Sequence, residues 1–341
     1  MQKTVLVVDD SPTNLSKAEA SLEKRYSVIT LSSAAKMFSI LEKKVRPDLI
    51  LLDIEMPELT GFEAMKMLKS NAAYAEIPVI FLTGLSDAVN EAYGIELGAV
   101  DFITKPFSEP VLLNRVKNHM DIGLLIHERT EQLVRLQNGI VYILADIVES
   151  RDKNTGGHIE RTTKYIKILM DAMISSGLYA NEMLGWDMDS IVSSARLHDL
   201  GKITISDTIL NKRGSLSRDE FSLIKTHSLA GAKMIDGILD RTGEAEFLHS
   251  AKHFASYHHE WWDGSGYPHG LSARDIPLEG RIMAIVDVYD ALTSERPYKK
   301  AFPNESAIRI LREAAGKQFD PDIADVFCGA NDQIKAVRAE T

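Results

Sequence analysis

Val5-Leu6-Val7-Val8-Asp9-Asp10 runs an apolar quartet straight into two carboxylates. A short continuous apolar run of this kind reads as a strand buried on both faces, and the acids then fall at its carboxyl end. The same pattern returns at Ser27 to Leu31, Asp48 to Leu52, Pro78 to Leu82 and Val100 to Ile103, with helical stretches such as Phe62 to Lys69 between the runs. Strands alternating with helices make βα units, so this part of the chain is expected to form a doubly wound α/β sheet of five parallel strands. Asp53, Thr83 and Lys105 each follow one of these runs, as Asp9 and Asp10 follow the first. Ligands bind beyond the carboxyl ends of such strands, so these five side chains are expected in one pocket. Three carboxylates so placed call for a hard divalent cation, and Mg²⁺ suits oxygen donors. A lysine opposite them can hold a phosphoryl oxygen. The Lys105–Pro106 bond is expected to be cis, because a sharp turn has to aim Lys105 into the pocket.

Working outward, a chain of 341 residues suits two domains at roughly 150 residues each. Hydrophobic residues at 45% and charged residues at 26% exclude disordered, collagenous and disulfide-scaffold classes. No apolar run approaches the roughly 18 residues of a membrane span, and Val5 to Val8 is too short for the core of a signal peptide. The single cysteine, Cys328, cannot make an internal disulfide, and a cytoplasmic location is expected. A formal net charge of -10 argues against nucleic-acid binding. An anionic substrate must therefore be held by metals or by a few local cations.

After Pro110 the pattern becomes one of a long helix, in which Leu133, Leu136, Ile140, Ile143 and Ile147 step by three and four. Such a stripe suits a dimeric connecting helix, or equally a helix packed on its own domain. Beyond Arg151 the pattern is helical throughout, and Gly177 to Asp187 reads as a loop. Five of the ten histidines stand in a set with two acids: His158, His198-Asp199, His227, His258-His259 and Asp287. Imidazole and carboxylate donors without thiolate suit iron, manganese or a similar ion rather than structural zinc. Seven donors exceed one site with an open position, so two metals sharing a carboxylate are expected, a device suited to in-line attack on phosphorus. Asp199 is the expected bridge, because a carboxylate spans two ions whereas an imidazole nitrogen serves one.

Residues 1–120 resemble a response-regulator receiver domain, through Val5 to Asp10, Leu51-Leu-Asp53-Ile-Glu-Met-Pro57, Gly61, Phe81-Leu-Thr83 and Lys105-Pro106. The resemblance implies a flavodoxin-like fold in which Asp53 is the phosphoacceptor. It also implies that Asp9 and Asp10 hold Mg²⁺ with Asp53 and the Glu55 backbone carbonyl, that Thr83 and Lys105 engage the phosphoryl group, and that Phe102 is the switch aromatic. Residues 121–148 are expected as the connecting helix, possibly a dimeric coiled coil. Residues 149–335 resemble an all-α HD-GYP phosphohydrolase, through Gly157-His158, Leu197-His-Asp-Leu-Gly-Lys-Ile203, Lys225-Thr-His227, His258-His-Glu-Trp-Trp-Asp-Gly-Ser-Gly-Tyr-Pro268 and the run from Asp287. That resemblance implies the seven donors as metal ligands, Asp199 and Lys202 as catalytic, and Lys202, Tyr267, Arg296 and Lys299 on the substrate. Where some relatives carry a glutamate associated with a third metal, this chain has Asn154, so two metals are expected.

The function so implied is phosphorylation-regulated hydrolysis of cyclic di-GMP to pGpG, GMP or both. The partners are a cognate sensor histidine kinase and a second copy of the chain. Two alternatives stand beside it: a non-catalytic cyclic-dinucleotide receptor signalling through a protein, and a phosphodiesterase for a mixed cyclic dinucleotide such as cyclic GMP-AMP.

Overall fold

Strands form where the apolar runs stand, at β1 (Thr4–Val8), β2 (Ser27–Leu31), β3 (Leu49–Asp53), β4 (Val79–Thr83) and β5 (Asp101–Thr104). They belong to a computed structural model that describes residues 2–84, 88–152, 157–243, 245–295 and 300–340. All pairings are parallel, in the order β2-β1-β3-β4-β5, which makes the doubly wound, flavodoxin-like sheet. Three strands sit one residue later than their apolar runs. The backbone ladder continues past the hydrophobic residues, pairing Asp53 with Leu82 and Thr83 with Thr104, so these two polar residues end their strands rather than follow them.

Helices α1 (Pro12–Leu22), α2 (Ala34–Glu42), α3 (Gly61–Ser70) and α4 (Ala88–Glu96) alternate with the strands. Their starts are written locally. The Ser11 hydroxyl accepts from the Asn14 N–H ahead of Pro12, and Thr60 with Glu63 forms a reciprocal capping box. Side chains alternate across the sheet: Leu6, Val8, Ile50 and Leu52 pack with Met37, Leu41 and Met65 on one face, while Val5, Val7, Leu49 and Leu51 pack with Leu22, Leu112 and Val116 on the other.

Helix α5 (Glu109–Arg151) is unbroken over 43 residues, so the last receiver helix and the connecting segment are one element. By internal packing the chain divides into 1–133 and 134–341. In the second unit Val141, Ala145 and Val148, spaced by four and three, are buried, and Val141 and Val148 pack with Leu197, Ile235 and Phe247. The stripe read from the sequence points elsewhere: Leu133, Leu136, Ile140, Ile143 and Ile147 are 45–66% exposed. That stripe is not a face packed on its own domain.

The second unit continues with α6 (His158–Ser176), α7 (Met188–Ser194), α8 (Asp207–Leu210), α9 (Arg218–Thr242), α10 (Glu246–Tyr257), α11 (Leu278–Thr293), α12 (Asn304–Glu313), α13 (Pro321–Gly329) and α14 (Asn331–Glu340). Its main core gathers Tyr165, Leu169, Phe254, Ile282, Tyr289 and Phe327. Among the described residues this unit has no strand, only isolated bridges, and no helix is long and apolar enough to cross a membrane.

One close approach decides where the chemistry sits. A short 3-10 helix, Leu200–Thr204, lies so near α9 that a Cβ on Gly201 would fall 1.9 Å from the His227 carbonyl oxygen and 2.5 Å from the Gly231 nitrogen. Only glycine fits, and the contact brings His198-Asp199 beside His227. Gly201→Ala is therefore expected to destabilise the helical unit by about 1–3 kcal/mol through overpacking. Denaturant unfolding of the metal-free proteins reads the change, and an unaltered midpoint contradicts the packing account.

Candidate metal centre and phosphoacceptor pocket

The seven donors come from separate elements. His158 opens α6, His198-Asp199 lies between two 3-10 turns, His227 sits in α9, His258-His259 follows α10, and Asp287 is within α11. They nonetheless converge. His158 Nε2 is 3.4 Å from His198 Nε2 and 3.6 Å from an Asp287 oxygen, and His198 Nε2 is 3.3 Å from Asp199 Oδ2. On the other side His227 Nε2 is 3.2 Å from His258 Nε2 and 3.4 Å from Asp199 Oδ1, with His258 Nε2 at 3.9 Å from the same oxygen. His259 joins His227 and His258, all three with ligand atoms within 4.8 Å of one another, as do His158, His198 and Asp199. Donors about 2.1 Å from one ion lie roughly 3.0–3.4 Å apart, so these separations fit metal coordination.

Tautomers point the same way. The Nδ1 atoms of His198, His227 and His258 lie 2.9, 2.7 and 2.8 Å from the carbonyls of Ala195, Ile224 and Phe254. A carbonyl only accepts, so each Nδ1 carries the proton and each Nε2 offers a lone pair inward. Burial, with the neighbouring imidazoles, holds His258 well below the ordinary histidine range and pushes His259 down to about 3. Neutral imidazoles are what a cation needs.

Burial alone would raise the Asp199 carboxyl, but the Lys202 ammonium beside it holds it well below the usual range. Lys202 Nζ lies 2.7 Å from Asp199 Oδ2 and 3.2 Å from Asp152. A 3-10 turn joins Asp199 and Lys202, the Lys202 N–H donating to the Asp199 carbonyl at 2.9 Å. Tyr267 stacks on His259 with ring centroids 4.7 Å apart, and Lys225 Nζ sits 5.4 Å from the Tyr267 ring. The loop carrying Tyr267 is held by buried Glu260, whose oxygens accept from the His269 and Leu271 N–H groups at 2.7 and 3.0 Å. Gly266 lets that loop fold back, because a Cβ there would lie 2.3 Å from the Trp261 nitrogen. Arg296, Lys299 and Asn154 lie outside the described residues.

In the receiver unit Asp9, Asp10 and Asp53 bring carboxylate oxygens within 4.8 Å of one another. Lys105 Nζ is 2.7 Å from Asp53 and 3.4 Å from Asp9, and the Lys105–Pro106 bond is cis. Asp53 Oδ2 is buried with no hydrogen-bond partner, and burial raises its carboxyl despite Lys105. An orphaned, buried acceptor beside two more carboxylates fits Mg²⁺. Asp53 Oδ1 accepts from the Glu55 N–H, Thr83 is buried at the end of β4, and Asn14 donates to both Asp9 oxygens. Phe102 stacks on Phe81 at 5.6 Å, its ring 2.5 Å from where a Cβ on Gly94 would stand.

Sequence reasoning passed over four side chains that hold this machinery. Glu149 accepts from the His158 N–H at 2.7 Å, Asp290 bonds His158 Nδ1 at 2.8 Å, Arg161 pairs with Asp290 at 2.7 Å, and Glu260 pins the Tyr267 loop. Arg161 and Asp290 each stand three residues after a donor on its own helix, a spacing that shares a face and could have marked them.

Comparison with known proteins follows this division. The response regulator receiver domain family matches residues 5–117 and the HD domain family matches residues 143–323. A Vibrio cholerae protein named "Probable cyclic di-GMP phosphodiesterase" is 40% identical over 96% of this chain and 77% of its own length. The cyclic di-GMP phosphodiesterase response regulator RpfG of Xanthomonas campestris pv. campestris is 33% identical over 86% of this chain and 78% of its own. The 3'3'-cGAMP-specific phosphodiesterase 2 of Vibrio cholerae is 38% identical, over 59% of this chain and 36% of that protein. The chain belongs to the response regulators that join a receiver to an HD domain, and the two domains imply divalent-metal binding, in keeping with its three clusters of donors.

Asp199→Ala is expected to abolish phosphodiester hydrolysis and to lower bound metal while the fold survives. Losing the carboxylate leaves two cation positions close together with less compensating charge. Elemental analysis beside a turnover assay checks it, and full metal content with unchanged turnover contradicts the shared-carboxylate arrangement.

Proposed function

We propose that the protein hydrolyses cyclic di-GMP to pGpG, GMP or both at a dinuclear iron or manganese centre, under control of phosphorylation at Asp53 by a sensor histidine kinase. We take the cytoplasm as its compartment. The observation that carries this reading is the Asp199 carboxylate, with one oxygen on the His158 and His198 side and the other on the His227 and His258 side. The ligands are His158, His198, Asp199 and Asp287 for one ion, and His227, His258, His259 and Asp199 for the other. Two divalent ions, when bound, activate water and polarise the phosphoryl oxygen. Lys202, already poised at the bridge, supplies a cation to the phosphoryl group as charge builds there. Tyr267 offers a ring and a hydroxyl beside His259, and Arg296 and Lys299 complete the cationic contacts. Relatives matched over most of their length carry cyclic di-GMP in their names, whereas 3'3'-cGAMP-specific relatives are matched over 36–40% of theirs, which favours cyclic di-GMP.

In the receiver, Asp53 accepts the phosphoryl group, Mg²⁺ is held by Asp9, Asp10, Asp53 and the Glu55 carbonyl, and Thr83 and Lys105 follow the new charge. Phe102 is the aromatic that responds. A phosphoryl group brings up to about two negative charges and strong acceptor oxygens, enough to bias a two-state surface. The exposed stripe from Leu133 to Ile147 supports pairing of α5 with α5 of a second copy. The last turn of that helix carries Glu149, which grips the first residue of α6, so altered pairing has a physical path to His158.

Manganese- or iron-loaded protein is expected to turn over cyclic di-GMP faster than cyclic GMP-AMP. Lys202→Ala should cut turnover about 100-fold with both metals retained. Binding without turnover favours the receptor alternative, and a reversed substrate order favours the mixed dinucleotide.

Beryllofluoride is expected to change either turnover or oligomeric mass, and Asp53→Asn should remove the response while leaving basal hydrolysis. Paired kinetic and sedimentation measurements decide it. Identical turnover and mass with and without the mimic leave the receiver as a docking module.

A further inference from the structure

Three of the histidines in the metal centre lean on their own chain. His198 and His227 direct Nδ1 to the carbonyl three residues back, and His258 to the carbonyl four residues back. A helical turn supplies such a carbonyl automatically. His158 is the first residue of α6, so its own helix offers Nδ1 no carbonyl one turn back. The acceptor comes instead from α11: Asp290 Oδ2 lies 2.8 Å from His158 Nδ1, with both residues buried.

Asp290 is itself held from both sides. Arg161 donates Nε to Oδ1 at 2.7 Å and a terminal nitrogen to Oδ2 at 3.0 Å, and that nitrogen also reaches the Ser294 hydroxyl at 3.0 Å. Such a fork fixes the plane of a carboxylate as well as its place. Arg161 stands one turn after His158, and Asp290 one turn after Asp287, whose oxygen faces His158 Nε2 at 3.6 Å. The imidazole is thus gripped edge to edge by two acids of the same helix. Among the described residues, no carboxylate plays this part for His227 or His258, whose Nδ1 partners are carbonyls.

We propose that Asp290 is a positioning residue for the half of the centre built from His158, His198, Asp199 and Asp287. It holds the proton on His158 Nδ1 so that Nε2 presents its lone pair to the ion, and Arg161 keeps Asp290 in that orientation. The inference rests on the dinuclear reading. It adds that the two halves are supported differently: His227 and His258 rest Nδ1 on main-chain carbonyls, whereas His158 rests it on a carboxylate from a second helix.

Equilibrium binding of Mn²⁺ to the full-length protein, with bound metal counted by elemental analysis, tests the idea without reference to activity. Beside one ion in the Asp9, Asp10 and Asp53 pocket, the wild type is expected to hold two ions in the helical unit. In Asp290→Ala one ion should bind about 10- to 100-fold more weakly while the other keeps its affinity and the helical circular dichroism is unchanged. Asp290→Asn should fall between them, because its amide keeps one acceptor oxygen but must turn its NH₂ towards either His158 or Arg161. Two ions at wild-type affinity in both variants overturn the positioning role and leave the dinuclear centre standing. Loss of both of these ions together with the helical signal assigns Asp290 to the fold alone, and a wild type that holds a single ion beyond the one in the receiver pocket overturns the dinuclear reading and this inference together.

Discussion

Everything in the helical unit is arranged around one carboxylate. Asp199 places its two oxygens between two groups of imidazoles, with Oδ2 also 2.7 Å from the Lys202 ammonium. Five buried or half-buried histidines, tightly gathered, could not stay together as cations, because like charges at such distances repel strongly. As neutral donors around a shared anion they can, and burial already drives His227, His258 and His259 towards the neutral form. The Asp199 site therefore requires imidazoles from four parts of the chain to arrive with their lone pairs inward.

The fold meets that requirement by simple means. Two glycines facing each other, Gly201 and Gly231, let the turn after Asp199 press against α9, so that His227 and Asp199 meet. Carbonyls one turn back orient three rings at no extra cost in residues. The first residue of α6 lacks that local help and takes Asp290 from α11, while the loop carrying Tyr267 is pinned by its own buried Glu260. The receiver follows a different logic. Its pocket is the carboxyl edge of a parallel sheet, where strand ends alone put Asp9, Asp53 and Thr83 side by side, and Lys105 arrives on the turn after β5.

Most of this was legible in the sequence because buried parallel strands are continuous apolar runs and because donor residues announce their chemistry by type. The five strands and the seven donors needed no long-range information to be noticed. The ends of β3 and β4 were misplaced by one residue because hydrophobicity marks burial, whereas the backbone ladder carries on into Asp53 and Thr83. The stripe on α5 was legible as a stripe but not as an exposed one. Val141, Ala145 and Val148 share its periodicity, and only tertiary packing tells which face turns inward. Asp290 and Arg161 were passed over for a related reason: their spacing from Asp287 and His158 marks a shared face but not the partner across it. Their bonds span 132 and 129 residues of sequence, and no local pattern reports a partner that far away.

Anomalous scattering from crystals of the iron- or manganese-loaded protein tests the central claim most directly. The account predicts two peaks about 3.5–4 Å apart, one beside His158 and His198 and the other beside His227, His258 and His259, with Asp199 contributing an oxygen to each. A single peak, or two peaks that Asp199 does not join, contradicts it.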